Sequence, residues 1–83
     1  MTVWREAAIG LSIDPIEIGG LGVWKHAWRK VNTAPVDLPH PHYPKQIHRY
    51  DIWEIGPVDR PVRFAASELS NNVWGFYVPE NSN

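Results

Sequence analysis

A proline-rich segment in the middle of this chain limits what the residues around it can form. Four of the ten residues from position 35 to position 44 are proline. Because proline lacks a backbone amide donor and pushes the preceding residue towards extended geometry, neither a regular helix nor a central strand fits there. We therefore expect residues 35–44 to form a stiff extended loop.

Residues 23–31, which precede this loop, carry the clearest periodic pattern of the chain. At about 100° per residue, their apolar side chains fall within an arc of about 140° and their polar side chains fill the opposite arc. A strand would place Lys25 and Arg29 on the same face as Val31, which separates polar from apolar residues less well. The pattern predicts one short helix, which Pro35 prevents from continuing.

The residues after the proline loop have the composition of antiparallel strands. Aromatic and β-branched side chains are concentrated in residues 47–55, 62–66 and 73–78, which predicts three strands. The polar residues 67–72 are expected to form the loop between the last two strands. The second half of the chain is therefore predicted to be an antiparallel meander.

Two structures are open for residues 1–18. Apolar residues alternate with small or polar ones from Ile9 to Ile13, which predicts a half-buried strand. Alternatively, Thr2 caps a short helix that ends at Gly10. The pattern does not decide between these two interpretations.

Together these elements predict an α+β domain. We expect an antiparallel sheet of four or five strands, packed on the single helix over residues 23–31 and followed by the extended loop over residues 35–44. An all-β sandwich or barrel is the alternative. The length fits one small domain over residues 1–83, in which we expect residues 80–83 to be a frayed tail.

The charge balance argues against partners that are held by electrostatic attraction. Eight Lys and Arg residues oppose nine Asp and Glu residues, which gives a net charge of -1. Such a chain lacks the basic surface that nucleic-acid binding needs. It also contains no apolar run of about 18 residues that would span a membrane and no secretory signal pattern. We expect a soluble cytoplasmic protein that binds neither nucleic acid nor membrane.

Three histidines near the proline loop, His40, His42 and His48, form the first candidate site. Imidazole nitrogens are ligands of divalent zinc, iron, nickel and manganese ions. Positions i and i+2 point the same way on a strand, whereas they diverge by about 120° in a polyproline II segment. These histidines are therefore either a site for a divalent transition metal or exposed loop residues.

The glycines before the predicted helix form the second candidate site. Gly20 and Gly22 would expose backbone amides at a helix N-terminus, where the helix dipole attracts an anion. Lys25 would add a positive charge beside them. A phosphate or carboxylate is the expected ligand, and a simple turn is the alternative interpretation.

The five tryptophans are the third candidate feature, because they are many for so small a core. A chain of this length buries only about 63% of its surface on folding. Trp24 and Trp28 share the apolar face of the predicted helix and are expected to be buried. This leaves Trp4, Trp53 and Trp74 as the residues expected at a binding or self-association surface.

The sequence offers little support for nucleophilic catalysis. It contains no cysteine and no G-x-S-x-G motif, so the usual activated nucleophiles are missing. We therefore expect a small non-enzymatic interaction module that forms a homo-oligomer or binds a protein partner through an aromatic-rich surface. The alternative is a small metalloprotein or metal-dependent enzyme that uses His40, His42 and His48.

Overall fold

The regular elements that a computed structural model describes in this chain are all β-strands. The description covers residues 2–11, 17–18, 21–22 and 28–80. In chain order the strands are β1 (Trp4–Leu11), β2 (Glu17–Ile18), β3 (Leu21–Gly22), β4 (Arg29–Lys30), β5 (Val36–Pro39), β6 (Ile47–Ile55), β7 (Val62–Ser70) and β8 (Val73–Pro79).

Six of these strands form one antiparallel sheet in the order β1-β8-β7-β6-β4, with β5 also paired to β6. Strands β6, β7 and β8 are the predicted meander, and β1 adds to the outer edge of β8. At the other edge, β4 pairs with Trp53 and Glu54 while β5 pairs with residues 47–50. Strands β2 and β3 form a separate two-stranded sheet.

Both faces of the main sheet are apolar. We call one the tryptophan face; its buried residues are Ile55, Phe64, Ala66, Phe76 and Val78. We call the other the tyrosine face; its buried residues are Tyr50, Ile52, Ala65 and Tyr77. The assignment follows from strand alternation and from the register, which sets Trp53 opposite Phe64 on one face and Ile52 opposite Ala65 on the other.

Trp28 covers the centre of the tryptophan face. Its ring meets the rings of four other aromatic residues edge to face, at centroid distances from 5.2 Å to 5.8 Å; these residues are Trp53, Phe64, Trp74 and Phe76. Edge-to-face pairs at such distances contribute about 0.5–1.5 kcal/mol each beyond the burial of their area. One indole from outside the long strands thus organises this half of the core.

The proline-rich segment covers the tyrosine face. Val36 and Leu38 pack against the buried residues of that face, and the hydroxyl of Tyr77 donates a hydrogen bond to the carbonyl oxygen of Pro39. A Cβ on Gly75 would lie 3.5 Å from Cδ of Pro41, so the chain crosses directly over β8 at this point. Strand β5, which pairs with the first half of β6, therefore covers part of the tyrosine face.

The predicted helix over residues 23–31 is wrong in the part that the structure describes. Residues 23–27 lie outside the described residues, but Arg29 and Lys30 form β4 beside β6. Trp28 packs on the tryptophan face and Val31 on the tyrosine face, so apolar residues serve both sides of a strand. The helix prediction assumed a single apolar face, and the α+β class fails with it. The all-β alternative fits the structure.

Other predicted elements meet mixed outcomes. The strand over residues 47–55 is confirmed as β6. The strand predicted from Ile9 to Ile13 is confirmed as far as Leu11, where β1 ends, and residues 12–13 lie outside the described residues. The alternative helix that ends at Gly10 is wrong, because Trp4–Leu11 form β1. The polar loop expected over residues 67–72 is wrong for Ser67 to Ser70, because β7 continues to Ser70 and pairs with β8. Only Asn71 and Asn72 form the turn, with Asn72 at a φ of 63°.

The single extended loop expected over residues 35–44 is also wrong in two respects. Val36–Pro39 form an edge strand, which proline tolerates because an edge leaves some amides unpaired in any case. Beyond Pro39 the chain turns back on itself, since the amide of Tyr43 donates to the carbonyl of His40 and the amide of Gln46 donates to that of Tyr43. In the predicted tail, residues 81–83 lie outside the described residues.

Replacing Trp28 by alanine is expected to lower the free energy of unfolding by about 3–5 kcal/mol, because it removes the ring that four aromatic neighbours share. Urea denaturation followed by far-ultraviolet circular dichroism measures the loss. Trp28→Phe should cost clearly less, and Tyr43→Ala, at an exposed position, serves as the control. A loss below about 1 kcal/mol for Trp28→Ala would contradict the central role of this indole.

Candidate functional site

An open cleft lies on the tyrosine face, at the end of the sheet where β1 begins and β8 ends. Its volume is about 380 Å³. Buried Ile52 lies in its lining, and apart from one charged residue the lining is apolar or hydroxyl-bearing. The residues that line this Trp4 cleft are Thr2, Trp4, Thr33, Ala34, Val36, Ile52, Arg63 and Pro79.

The strand register explains why these residues meet. Trp4 of β1 lies opposite Pro79 of β8, and Arg63 of β7 lies opposite Glu54 of β6. The segment between β4 and β5 crosses above this end of the sheet, where the amide of Val31 donates to the carbonyl of Ile52. The cleft is therefore the part of the tyrosine face that the crossing segment leaves uncovered.

A row of charges borders the cleft. The carboxylate of Glu54 is shared by two arginines, with Nε of Arg29 at 3.4 Å from one oxygen and Nε of Arg63 at 3.7 Å from the other. Two guanidinium charges facing one carboxylate leave a surplus of one positive charge. Because Arg63 makes this contact through Nε and its side chain is 57% exposed, its terminal nitrogens remain able to bind a carboxylate in the cleft.

Next to the cleft, two tyrosine hydroxyls converge on one backbone oxygen. Tyr50 and Tyr77 donate hydrogen bonds of 3.0 Å and 2.8 Å to the carbonyl of Pro39, and their rings meet edge to face at 5.2 Å. Burial, together with the neighbouring Tyr77 and Glu6, raises the pKa of Tyr50 to about 12. Burial and Glu6 also raise the pKa of Tyr77. We call these two hydrogen bonds the tyrosine latch. They hold the covering segment, residues 36–41, on the tyrosine face.

The histidines predicted as a metal site are neighbours, but they are not arranged as ligands. The ring of His40 lies 5.7 Å from that of His48 and 6.2 Å from that of His42. Nδ1 of His40 accepts the backbone amide of His42 at 3.0 Å, so this nitrogen is already engaged. Within the described residues, no group of three or more His, Asp or Glu side chains has the geometry to hold a metal ion.

Of the three histidines, His40 has a pKa that its surroundings change. Burial lowers the pKa of His40, and the neighbouring His48 and His42 lower it further. A proton on Nδ1 would also remove the acceptor for the amide of His42. Since His40 directly follows Pro39, we expect its protonation to weaken the attachment of the covering segment.

The tryptophans expected at a binding surface occupy two different places. Trp53 and Trp74 pack around Trp28 on the tryptophan face, at 5.4 Å and 5.5 Å, and the indole nitrogen of Trp53 is buried. Trp4 lies on the opposite face and lines the cleft. Of the three predicted residues, Trp4 is therefore the one that the structure places beside an open site.

Two of the three residues of the predicted anion site lie outside the described residues. Gly20 and Lys25 lie outside the described residues, and Gly22 is in β3, opposite Glu17 of β2. The cleft residues Arg63, Ile52 and Thr33 were not predicted as site residues. No local pattern marks them, because cross-strand register and the path of the crossing segment bring them together.

Comparison with known proteins does not extend this picture. No protein-family model, curated protein or solved structure matches the chain. Residues 2–11, 17–18, 21–22 and 28–80 contain no helix that could span a membrane.

The tyrosine latch predicts a loss of stability in alkali. The folded chain keeps the proton of Tyr50 up to a pKa of about 12, whereas the unfolded chain releases it near pH 10. The contribution of Tyr50 to the free energy of unfolding is therefore complete below about pH 10 and falls as the pH rises towards 12. Tyr50→Phe should weaken this dependence and cost about 0.5–1.5 kcal/mol at neutral pH for the lost hydrogen bond.

Urea denaturation at about pH 7 and about pH 11 measures both effects. Tyr43→Phe is the matched control, because Tyr43 is exposed and should leave both quantities unchanged. An alkaline dependence that is identical in Tyr50→Phe and in the unmodified protein would contradict the latch.

The histidine cluster predicts a second pH dependence. The pKa of His40 is lower in the folded chain than in the unfolded chain. The contribution of His40 to the free energy of unfolding is therefore complete above about pH 6.5 and is lost as the pH falls from there through the lower pKa of the folded chain. His40→Asn keeps an acceptor for the amide of His42 but does not titrate, so it should reduce the slope. Thermal denaturation between about pH 8 and about pH 5 measures it.

His42→Gln is the comparison for this prediction, since burial is the largest cause of the His40 shift and most of the slope should survive. An unchanged slope in His40→Asn would show that the acid response comes from other groups.

Proposed function

We propose that this protein is a non-enzymatic interaction domain that binds a protein segment in the Trp4 cleft. The segment presents a large apolar side chain next to a carboxylate. The observation that carries this proposal is the combination, in one open cleft, of Trp4, an apolar floor and the incompletely paired Arg63.

The composition of the cleft supports a protein ligand. Tryptophan and arginine are the residue types most enriched at binding hot spots, where they combine apolar contact with directed hydrogen bonds. A volume of about 380 Å³ lies at the low end of small-molecule pockets, which span about 300–1,000 Å³. An opening of this size suits one or two side chains of a partner.

The same lining supports a binding role over a catalytic one. Arg63 is the one titratable residue among the cleft residues, and a guanidinium stays protonated throughout the physiological range. General acid–base catalysis needs a group that exchanges protons near the working pH. The lining therefore offers recognition chemistry and no proton-transfer chemistry.

The electrostatics fix the orientation of the ligand. The surplus positive charge lies at the Arg63 end, beside Glu54. Glu6 is the acidic group that raises the pKa values of Tyr50 and Tyr77, so negative charge lies near the latch. A bound carboxylate is therefore expected at Arg63, with its apolar neighbour against Trp4.

Selection from a random peptide display library tests this function. The protein should enrich peptides that combine a large apolar residue with Asp or Glu, and Trp4→Ala should weaken their binding by about tenfold or more. Arg63→Gln should remove the preference for the acidic residue while leaving apolar peptides bound. Tyr43→Ala, which changes an exposed aromatic outside the cleft, should bind like the unmodified protein.

Isothermal titration calorimetry with one enriched peptide gives the affinities for these variants. Failure to enrich any peptide, or equal binding by Trp4→Ala, would refute the cleft as the interaction site. Circular dichroism of Trp4→Ala confirms that the variant is folded before the comparison is made.

A further inference from the structure

The turn between β6 and β7 carries the chemistry that the Trp4 cleft is built to receive. Val58 is 82% exposed, the most exposed large apolar side chain of the described residues. Asp59 follows it directly and is also exposed. An apolar side chain beside a carboxylate is the ligand proposed for the cleft.

Residues 57–61 of this turn are exposed, and a backbone hydrogen bond closes the turn. The amide of Arg60 donates to the carbonyl of Pro57, which places Val58 and Asp59 at the two central positions of the turn. Gly56 provides the positive φ of 90° that the entry to the turn requires. A turn closed by its own hydrogen bond loses less conformational entropy on binding than an open loop of the same length.

The tip and the cleft belong to the same end of the sheet. The tip joins Ile55 to Val62, and Arg63 of the cleft is the next residue along β7. The high exposure of Val58 shows that the tip does not fill the cleft of its own chain. A two-fold axis near this end of the sheet would bring each tip to the cleft of the other copy.

We propose that the protein forms a symmetric dimer in which Val58 and Asp59 of each copy occupy the Trp4 cleft of the other. Val58 packs against Trp4, and the carboxylate of Asp59 pairs with the terminal nitrogens of Arg63. The inference rests on the proposed function, since it identifies the protein segment as part of a second copy of this chain. Two small reciprocal contacts give a weak, concentration-dependent dimer.

Pairing through the outer edge of β1 is a competing way to self-associate. Within the described residues, β1 pairs with β8 alone. However, its register with β8 is interrupted between Glu6 and Ala8, and Arg5 and Glu6 are exposed on it. Irregular, charged edges are the usual protection of a sheet against edge-to-edge pairing, so the tip and cleft are favoured.

Sedimentation equilibrium over a wide concentration range tests the dimer. The unmodified protein should show a reversible monomer–dimer equilibrium. Val58→Asp, which changes the tip, and Ala34→Tyr, which fills the cleft from an exposed position, should each weaken dimerisation by about tenfold or more. Val3→Asp, at another exposed apolar position outside the cleft lining, is the control and should dimerise normally.

Mixing two defective variants provides the sharper test. Val58→Asp keeps an intact cleft and Ala34→Tyr keeps an intact tip, so their mixture recovers one of the two contacts. The mixture should therefore form heterodimers more tightly than either variant forms homodimers. Recovery that is no better than either variant alone would overturn the reciprocal arrangement.

The absence of native cysteine allows direct crosslinking. A mixture of Val58→Cys with Thr33→Cys, one at the tip and one in the cleft lining, should form an intermolecular disulfide under mild oxidation. Ile47→Cys, exposed at the opposite end of β6, should crosslink to Thr33→Cys at least about tenfold more slowly.

A protein that stays monomeric at every concentration would overturn the dimer but leave the proposed function standing if library peptides still bind at Trp4. A dimer that is insensitive to both Val58→Asp and Ala34→Tyr would also overturn the inference. Loss of peptide binding in all arms would instead remove the proposed function itself.

Discussion

Both faces of the main sheet are apolar, and a chain of 83 residues has few residues outside the sheet that can cover them. A solvated face would allow alternation between apolar and polar residues, but strands here carry apolar residues towards both sides. Within the described residues, Trp28 lies over one face and the segment from Val36 to Pro41 lies over the other. The tyrosine latch, the histidine cluster and the cleft all lie on or beside the segment that covers the tyrosine face.

The chain that covers the tyrosine face is attached to the sheet at two places, and the cleft lies near the stretch between these two attachments. Towards one end, Tyr50 and Tyr77 fasten Pro39. Towards the other, β4 and Val31 pair with β6. Between these attachments the chain passes through Thr33 and Ala34, which are exposed and line the cleft. Trp4 is half-buried and Arg63 is exposed, and both line the cleft that this part of the chain leaves open.

The sequence predicted the strands better than it predicted the arrangement of the faces. Residues 47–55 were predicted correctly because aromatic and β-branched residues favour strands on any face. The helix over residues 23–31 failed because a periodicity argument assigns all apolar residues to one side, whereas Trp28 and Val31 pack on opposite sides of the sheet. The segment past Ala66 was misjudged because its polar residues are in a strand, where pairing with β8 outweighs composition.

The candidate site could be predicted only in part, for a related reason. Trp4 stood out by residue type, but its separation from Trp53 and Trp74 depends on which face each strand position serves. Arg63 and Glu54 face each other through strand register, and no spacing in the sequence encodes that contact. Predicting a cleft of this kind would require the register of four strands and the path of the crossing segment at once.

The cover also couples the stability of the fold to the shape of the cleft. Val36 lines the cleft and packs on the tyrosine face, and it lies in the same short strand as the latched Pro39. Whatever weakens the latch, such as ionisation of Tyr50 or protonation of His40 in the adjoining turn, acts on a strand that carries part of the cleft wall. The ligand that we propose would pack against Trp4 and Val36, so its binding is expected to stabilise the covered tyrosine face by mass action. We therefore expect the proposed binding and the stability of the covered tyrosine face to change together when the tyrosine latch is weakened.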